Sequence, residues 1–240
     1  MKKIILSTTI LLLITFQTQA QWFFGGEKGN GIMVTKTRTV KNYDKILVTG
    51  SFNVALVHGK EGELSIKMEE NLVDFLITEV KDNKLIIKWK NNVNIRTQRG
   101  VHIVVPFKDL NEVKLTGSGD VVSSDIIRAV HFETLVSGSG NVALNINAKS
   151  IKSKVTGSGG IQLYGSTDNL NTLVTGSGDF NSYKLTAENV NATVTGSGDI
   201  QVIASKKLNA KVTGSGDITY KGNPEIQDFK ITGSGDIESK

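Results

Sequence analysis

The 240-residue chain has no cysteine, which excludes disulfides, thiolate-held zinc or iron–sulfur centres and a lipid-modified cysteine behind a leader. Its net charge of +5 falls to +3 without Lys2 and Lys3, and no basic block interleaved with aromatics is present, which argues against nucleic acid as a partner. The length is sufficient for one sizeable core.

Lys2 and Lys3 precede the apolar run Ile4–Phe16 and the small-residue stretch ending at Ala20. This order of basic, apolar and small residues predicts a signal peptide over 1–20, cleaved after Ala20, and an exported protein: periplasmic, on the outer cell surface or secreted. No later run approaches the ~20 apolar residues of a membrane-spanning helix, so no transmembrane segment is expected after cleavage. Residues 21–31 (QWFFGGEKGNG) read as a flexible glycine-rich lead-in. Residues 36–67 and 84–106 read as strands, for instance Lys84–Trp89 and Val101–Pro106, within an irregular first half spanning 32–110. Between them, Leu72, Phe75, Leu76 and Val80 fall at helical spacing and predict one short helix over 71–80.

From Leu115 onward one heptapeptide recurs: LTGSGDV, VSGSGNV, VTGSGGI, VTGSGDF, VTGSGDI, VTGSGDI and ITGSGDI. The first glycines are Gly117, Gly138, Gly157, Gly176, Gly196, Gly214 and Gly233, a period close to twenty residues. Thr49–Val54 (TGSFNV) resembles a degenerate eighth copy. Such a period marks a solenoid, whose coils stack because none can bury its own apolar face. Segments such as Val190–Val194 and Leu208–Val212 alternate apolar or small residues with polar ones, the two-residue period of strands rather than of helices. The fold class is therefore all-β, a β-solenoid of 19–20-residue coils over 32–240, regular over 111–240.

Within V-T-G-S-G-D-I, alternation sends Val, both glycines and Ile inward, and Thr, Ser and Asp outward. Gly-Ser-Gly is expected to be a corner, where glycine supplies positive φ or close approach. Stacking then aligns like residues at ~4.8 Å. The candidate surface ladder has a hydroxyl column of Thr175, Thr195, Thr213 and Thr232 and a second of Ser177, Ser197, Ser215 and Ser234. Beside them runs an acidic column of Asp179, Asp199, Asp217 and Asp236, extended upstream by Asp120, Asn141 and Gly160. Carboxylates at that spacing repel unless they are hydrogen-bonded or bridged by a cation.

The run YDKILVTGSFNVALVHGKEGELSIKMEENLVDFLITEVKDNKLIIKWK (Tyr43–Lys90), followed by the TGSGDV repeats, resembles the putative auto-transporter adhesin family that carries the head GIN domain. The resemblance covers residues 32–237. It implies an exported bacterial envelope protein with a right-handed, single-stranded β-helix, and it brings no catalytic residues.

Polysaccharide lyases and hydrolases use β-helices, but short coils leave no loops to wall a cleft. Positionally equivalent Asp residues also do not provide an acid and a base in different environments. Structural calcium is a minor alternative, because the calcium-binding nonapeptide recurs at half this period and Gly160 interrupts the column. An ice-binding threonine face is disfavoured by the Ser and Asp columns. His58, His102 and His131 show no ligand spacing. The reading is a non-enzymatic envelope or surface module without a cofactor, adhesive or binding glycans or matrix proteins. Its alternatives are a structural, self-assembling envelope protein and, below that, a polysaccharide-degrading enzyme.

Overall fold

Two-residue alternation gives each strand one apolar face, and the twenty-residue period places the next coil directly over it. The computed structural model of the protein describes residues 26–240; the expected signal peptide and residues 21–25 lie outside the described residues. Sixteen strands form one continuous sheet, wound as a β-solenoid of about seven turns. A separate two-stranded pair joins Glu27–Lys28 to Ile95–Arg96. Among the described residues, no helix is long and apolar enough to cross a membrane.

The repeats build long strands, each running from one Gly-Ser-Gly corner to the next: Asp120–Gly138, Asn141–Gly157, Gly160–Gly176, Asp179–Gly196 and Ile200–Gly214. Neighbours pair in parallel and in register, so that Val136, Val155, Val174, Val194 and Val212 stack in one inward column, all fully buried. Beyond the corner, Val121, Val142, Ile161, Phe180, Ile200 and Ile218 form a second buried column. Each apolar side chain is thus covered above and below by its equivalents, which is how a coil too small to fold alone becomes stable in a stack.

The first half does not stack in chain order. Lys45–Thr49 lies between Lys84–Trp89 and Glu112–Gly117, and Asn53–His58 lies between His102–Phe107 and the start of Asp120–Gly138. The chain therefore lays down an outer turn at 84–107 and returns past the 45–58 turn to continue the solenoid. Asn111 secures the return, its backbone N–H donating to Asp44 O at 2.8 Å and its Nδ2 to Asp44 Oδ2 at 3.1 Å. Antiparallel strands close this end: Leu76–Lys81 on Lys84–Trp89, Glu63–Glu69 on His102–Phe107, and Met33–Thr39 on Glu63–Glu69. Leu64, Ile66, Met68, Leu72 and Leu76 are buried there, so the solenoid's first end is capped.

Two expectations need correction here. The helix expected over 71–80 is a 3-10 turn at Glu70–Phe75, followed by the strand Leu76–Lys81. Asp82 and Asn83 take φ of 50° and 58°, the two-residue hairpin turn that folds Leu76–Lys81 back onto Lys84–Trp89. Arg38 steadies the junction by donating to Val73 O and Leu76 O, both at 2.6 Å. The lead-in expected to be flexible over 21–31 is held in its second half. Glu27–Lys28 is paired, and Asn71 takes the Asn30 N–H at 3.0 Å and donates to Lys28 O at 2.8 Å.

One inward column is polar. Thr134, Ser153 and Thr172 stack in register, each 1% exposed, and their hydroxyls have no hydrogen-bond partner. The next turns place Ala192 and Ala210 in the same column. An unpartnered buried hydroxyl costs more than a methyl of the same shape. Thr172→Val is expected to stabilise the protein by about 1 kcal/mol, raising Tm by roughly 2–4 °C. A lowered Tm in a thermal melt would show that the hydroxyl is satisfied.

Candidate functional site

The Gly-Ser-Gly stretches are corners. The first glycine of every copy has positive φ, from +109° at Gly157 to +127° at Gly117, a region that side-chain-bearing residues avoid. A Cβ on Gly157 would also stand 2.5 Å from Gly138 O, and one on the second glycine, as at Gly159, would lie closer still to Gly140 O. The coils touch backbone to backbone here because both positions lack side chains. At most corners the first-glycine carbonyl accepts two N–H groups from the next corner: Gly138 O takes those of Ser158 and Gly159, both at 2.9 Å, whereas Gly157 O takes that of Ser177 alone, at 2.9 Å. The pattern repeats at Gly176 O with Ser197 (2.8 Å) and Gly198 (3.1 Å), and at Gly196 O with Ser215 (2.8 Å) and Gly216 (3.1 Å).

The ladder residues stand in the expected columns. Thr175 pairs with Thr195, Thr195 with Thr213 and Thr213 with Thr232. Ser177, Ser197, Ser215 and Ser234 follow at the corners, all exposed. The acidic column solves its repulsion along the stack. Asp179 Oδ1 accepts the Asp199 N–H at 3.1 Å, Asp199 Oδ1 that of Asp217 at 2.9 Å, and Asp217 Oδ1 that of Asp236 at 2.8 Å. Asp179, Asp199 and Asp217 thus each cap the following coil, while Asp236, on the last described coil, bonds its neighbour Ile237 at 2.7 Å. Upstream, the equivalent N–H goes to backbone instead: Gly160 to Gly140 O at 3.1 Å and Asp179 to Gly159 O at 3.1 Å. Gly160 has no carboxylate to offer Asp179, so the ladder starts one coil later.

Asparagine at position 199 would keep the acceptor for the Asp217 N–H and remove one charge. Asp199→Asn is therefore expected to leave stability within a few tenths of a kcal/mol, while Asp199→Ala, which removes the acceptor, costs about 1 kcal/mol. Urea melts with and without chelator check this. A melt of the unmutated protein weakened by chelator, together with a destabilised Asp199→Asn, would instead mean a cation bridging the column. No three His, Cys, Asp or Glu side chains converge among the described residues.

The gap at Gly160 opens a shallow surface groove lined by Asn141, Ala143, Gln162, Asp179 and Asn181. Two residues beyond the acidic column runs a row of outward amides, Gln162, Asn181 and Gln201, successive members pairing in register. Asn181 Nδ2 donates to Gln201 Oε1 at 2.8 Å. Two residues beyond the row stand two tyrosines, Tyr164 with Lys184 Nζ at 5.4 Å from its ring centre and Tyr183 with Lys221 Nζ at 4.3 Å. The Tyr183 hydroxyl donates to Thr219 at 2.7 Å. Toward the capped end the same face turns apolar, with Val104 and Val122 exposed on either side of Ala55. The amide row and the tyrosines lie outside the repeated heptapeptide, which gives no sign of them. Their signal was an outward polar residue two positions past the Asp column in consecutive repeats.

Elsewhere, Glu112 is bridged by Lys84 at 3.1 Å and Lys114 at 2.7 Å. Burial pushes its carboxyl up, but the bonds and charges of Lys114 and Lys84 outweigh this and hold it below the usual range. The three histidines are dispersed: His58 stands edge-on to Phe107, His131 contacts Ser150 Oγ at 3.1 Å, and His102 lines a separate shallow groove.

A single-sheet solenoid with open, repetitive, polar outer columns defines a class of proteins that present surface rather than enclose a cavity. The chain belongs to the family described as "Putative auto-transporter adhesin, head GIN domain", whose model matches residues 42–224. A solved structure named a putative adhesin, from Bacteroides fragilis NCTC 9343, is similar at 25% identity and a TM-score of 0.83, over 90% of this chain and 100% of that one. A second, named a putative lipid binding protein, from Parabacteroides distasonis ATCC 8503, is 30% identical with a TM-score of 0.75, over 89% of this chain and 99% of that one. A third, a putative adhesin from the same Parabacteroides strain, shares the fold at 24% identity and a TM-score of 0.72, over 89% of this chain and 99% of that one. No curated protein matches the chain.

Proposed function

We propose that this is an exported, non-catalytic envelope or cell-surface module that binds glycans, or the glycan-bearing matrix around the cell, through the outer face beside the corner ladder. The observation that carries the reading is the amide row Gln162, Asn181 and Gln201 with two tyrosines along one side of it, beside the open groove at Gly160. Planar amides and a carboxylate offer paired donors and acceptors to vicinal sugar hydroxyls, and tyrosine adds an apolar face with a polar tip. The Thr, Ser and Asp columns extend the same surface along the stack, repeating its hydrogen-bonding groups at strand spacing. Grooves this shallow suit reversible surface contact rather than a closed reaction chamber. The family supports surface association, and the basic, apolar and small-residue order of residues 1–20 supports export.

The test is an array of glycans and matrix proteins probed with the exported chain, with lipid vesicles as a further arm because one relative is named for lipid binding. Glycan binding that falls at least several-fold in Asn181→Ala, with the melt unchanged, supports the reading. Binding to vesicles alone, or to nothing, overturns it.

A further inference from the structure

The two ends of the solenoid are built differently. The first end is sealed by antiparallel strands over buried Leu64, Ile66, Met68 and Leu72. The last described turn, Ile226–Gly233 and Ile237–Ser239, has a neighbour on one side only among the described residues. Its residues occupy core columns without being covered. Ile231 continues the column of Val194 and Val212, which are 0% exposed, yet is 45% exposed itself. Phe229 sits above Ala192 and Ala210 and is 38% exposed, leaning on Tyr220 at 5.6 Å between ring centres. Phe229 stands where the two coils beneath carry alanine, at a level with no strand above it among the described residues.

We propose that this end is an interface with a second copy of the chain, the two Ile226–Gly233 strands pairing antiparallel about a two-fold axis so that the two solenoids join tail to tail. The proposal is independent of the ligand reading above.

The register follows from side-chain direction and charge. Gln227, Phe229 and Ile231 point to the core, while Asp228, Lys230 and Thr232 point outward, as their partners Leu208, Ala210, Val212, Asn209, Lys211 and Thr213 do. In an antiparallel self-pair, residues facing each other must point to the same side, so the symmetry point must fall on a residue. Centred on Asp228 the pair sets Asp against Asp, and centred on Lys230 it sets Lys against Lys. Centred on Phe229, each Asp228 faces the partner's Lys230, Phe229 meets Phe229, and Gln227 meets Ile231 within the joined core. Among the described residues neither Asp228 nor Lys230 has an ion-pair partner of its own. A head-to-tail stack would instead press Phe229 and Ile231 onto an end that is already closed, leaving one open end per assembly.

Sedimentation velocity of the exported chain over a range of concentrations is the test. The expected result is a monomer–dimer equilibrium without higher species. D228K and K230D, each alone, place like charges opposite one another and are expected to weaken association on the order of tenfold or more. Mixing the two single variants restores opposite charges at both positions in the heterodimer, as does combining them in one chain, so association should return to near the original strength. That rescue also excludes misfolding as the cause of the loss. A chain that stays monomeric throughout, a dimer indifferent to D228K, or a loss that mixing does not repair would each overturn the proposal.

Discussion

Gly196→Val is expected to destabilise the protein by roughly 2–6 kcal/mol, the sum of backbone strain and overpacking. The two terms have separate origins at the corner. Gly196 has φ of +126°, and a Cβ there would lie well inside contact distance of the Gly176 carbonyl. That carbonyl is the double acceptor for the Ser197 and Gly198 N–H groups, so pushing the coils apart also breaks two hydrogen bonds. Two further substitutions resolve the terms. Gly31→Ala has strain alone, since φ is +78° and nothing lies within 4 Å of the new Cβ. Gly198→Ala has contact alone, because its φ is ordinary while the Gly178 carbonyl stands against it. Urea midpoints should rank the unmutated protein above Gly31→Ala, and both above Gly198→Ala and Gly196→Val. If Gly198→Ala melts with the unmutated protein, the coils can part at the corner, and the close-approach account fails.

The regular half of the fold was legible because one period states both the strand and its neighbour. When Val194 and Val212 occupy the same place in successive repeats, register needs no further information. The first half carries no such statement. Nothing local in Lys45–Thr49 shows that it lies between a later strand and a still later one, since parallel neighbours are chosen by long-range packing. The degenerate copy gave a partial hint. Phe52 replaces the second glycine and is buried against Trp89, with ring centres 5.0 Å apart, because the turn beneath is the displaced 84–107 segment, which has no Gly-Ser-Gly. The short helix expected at 71–80 is present only in its first half, for a different reason: Leu72 and Leu76 are both buried, but one lies in the 3-10 helix Glu70–Phe75 and the other in a strand. Asp82-Asn83 was a readable hairpin signal that outweighed their spacing. At the candidate site, the Thr, Ser and Asp columns followed from the repeat. The amide row fell outside the motif and became visible only once the strands were laid side by side.

Glu69 is the second residue on which a large effect is expected, and the sequence gives no sign of it. It is 0% exposed, set beneath the segment that leads into Met33–Thr39, and both of its carboxylate oxygens are engaged. Oε1 accepts the Gly31 N–H at 2.8 Å; Oε2 accepts that of Gln98 at 2.9 Å and, more weakly, that of Arg99 at 3.5 Å. One side chain therefore ties the lead-in and the 90–101 loop to the cap. Burial pushes the carboxyl up, but the N–H groups of Gln98, Gly31 and Arg99, followed by the Arg99 charge, outweigh it and hold it below its ordinary value. The stabilisation is thus present at neutral pH and is lost as pH falls from the ordinary glutamate range through the lowered native value. Glu69→Ala, which removes the shared acceptor of three N–H groups at the edge of the cap, is expected to cost roughly 1.5–3 kcal/mol at pH 7. Glu69→Gln should cost less at pH 7, because one oxygen remains, and should flatten the fall of Tm between pH 5 and 3. Amide exchange at Gly31 and Gln98 should quicken in both variants, while the TGSGD corners stay protected. Parallel Tm curves for Glu69→Gln and the unmutated protein across that acid range would show that the carboxylate charge carries none of the stability of the cap.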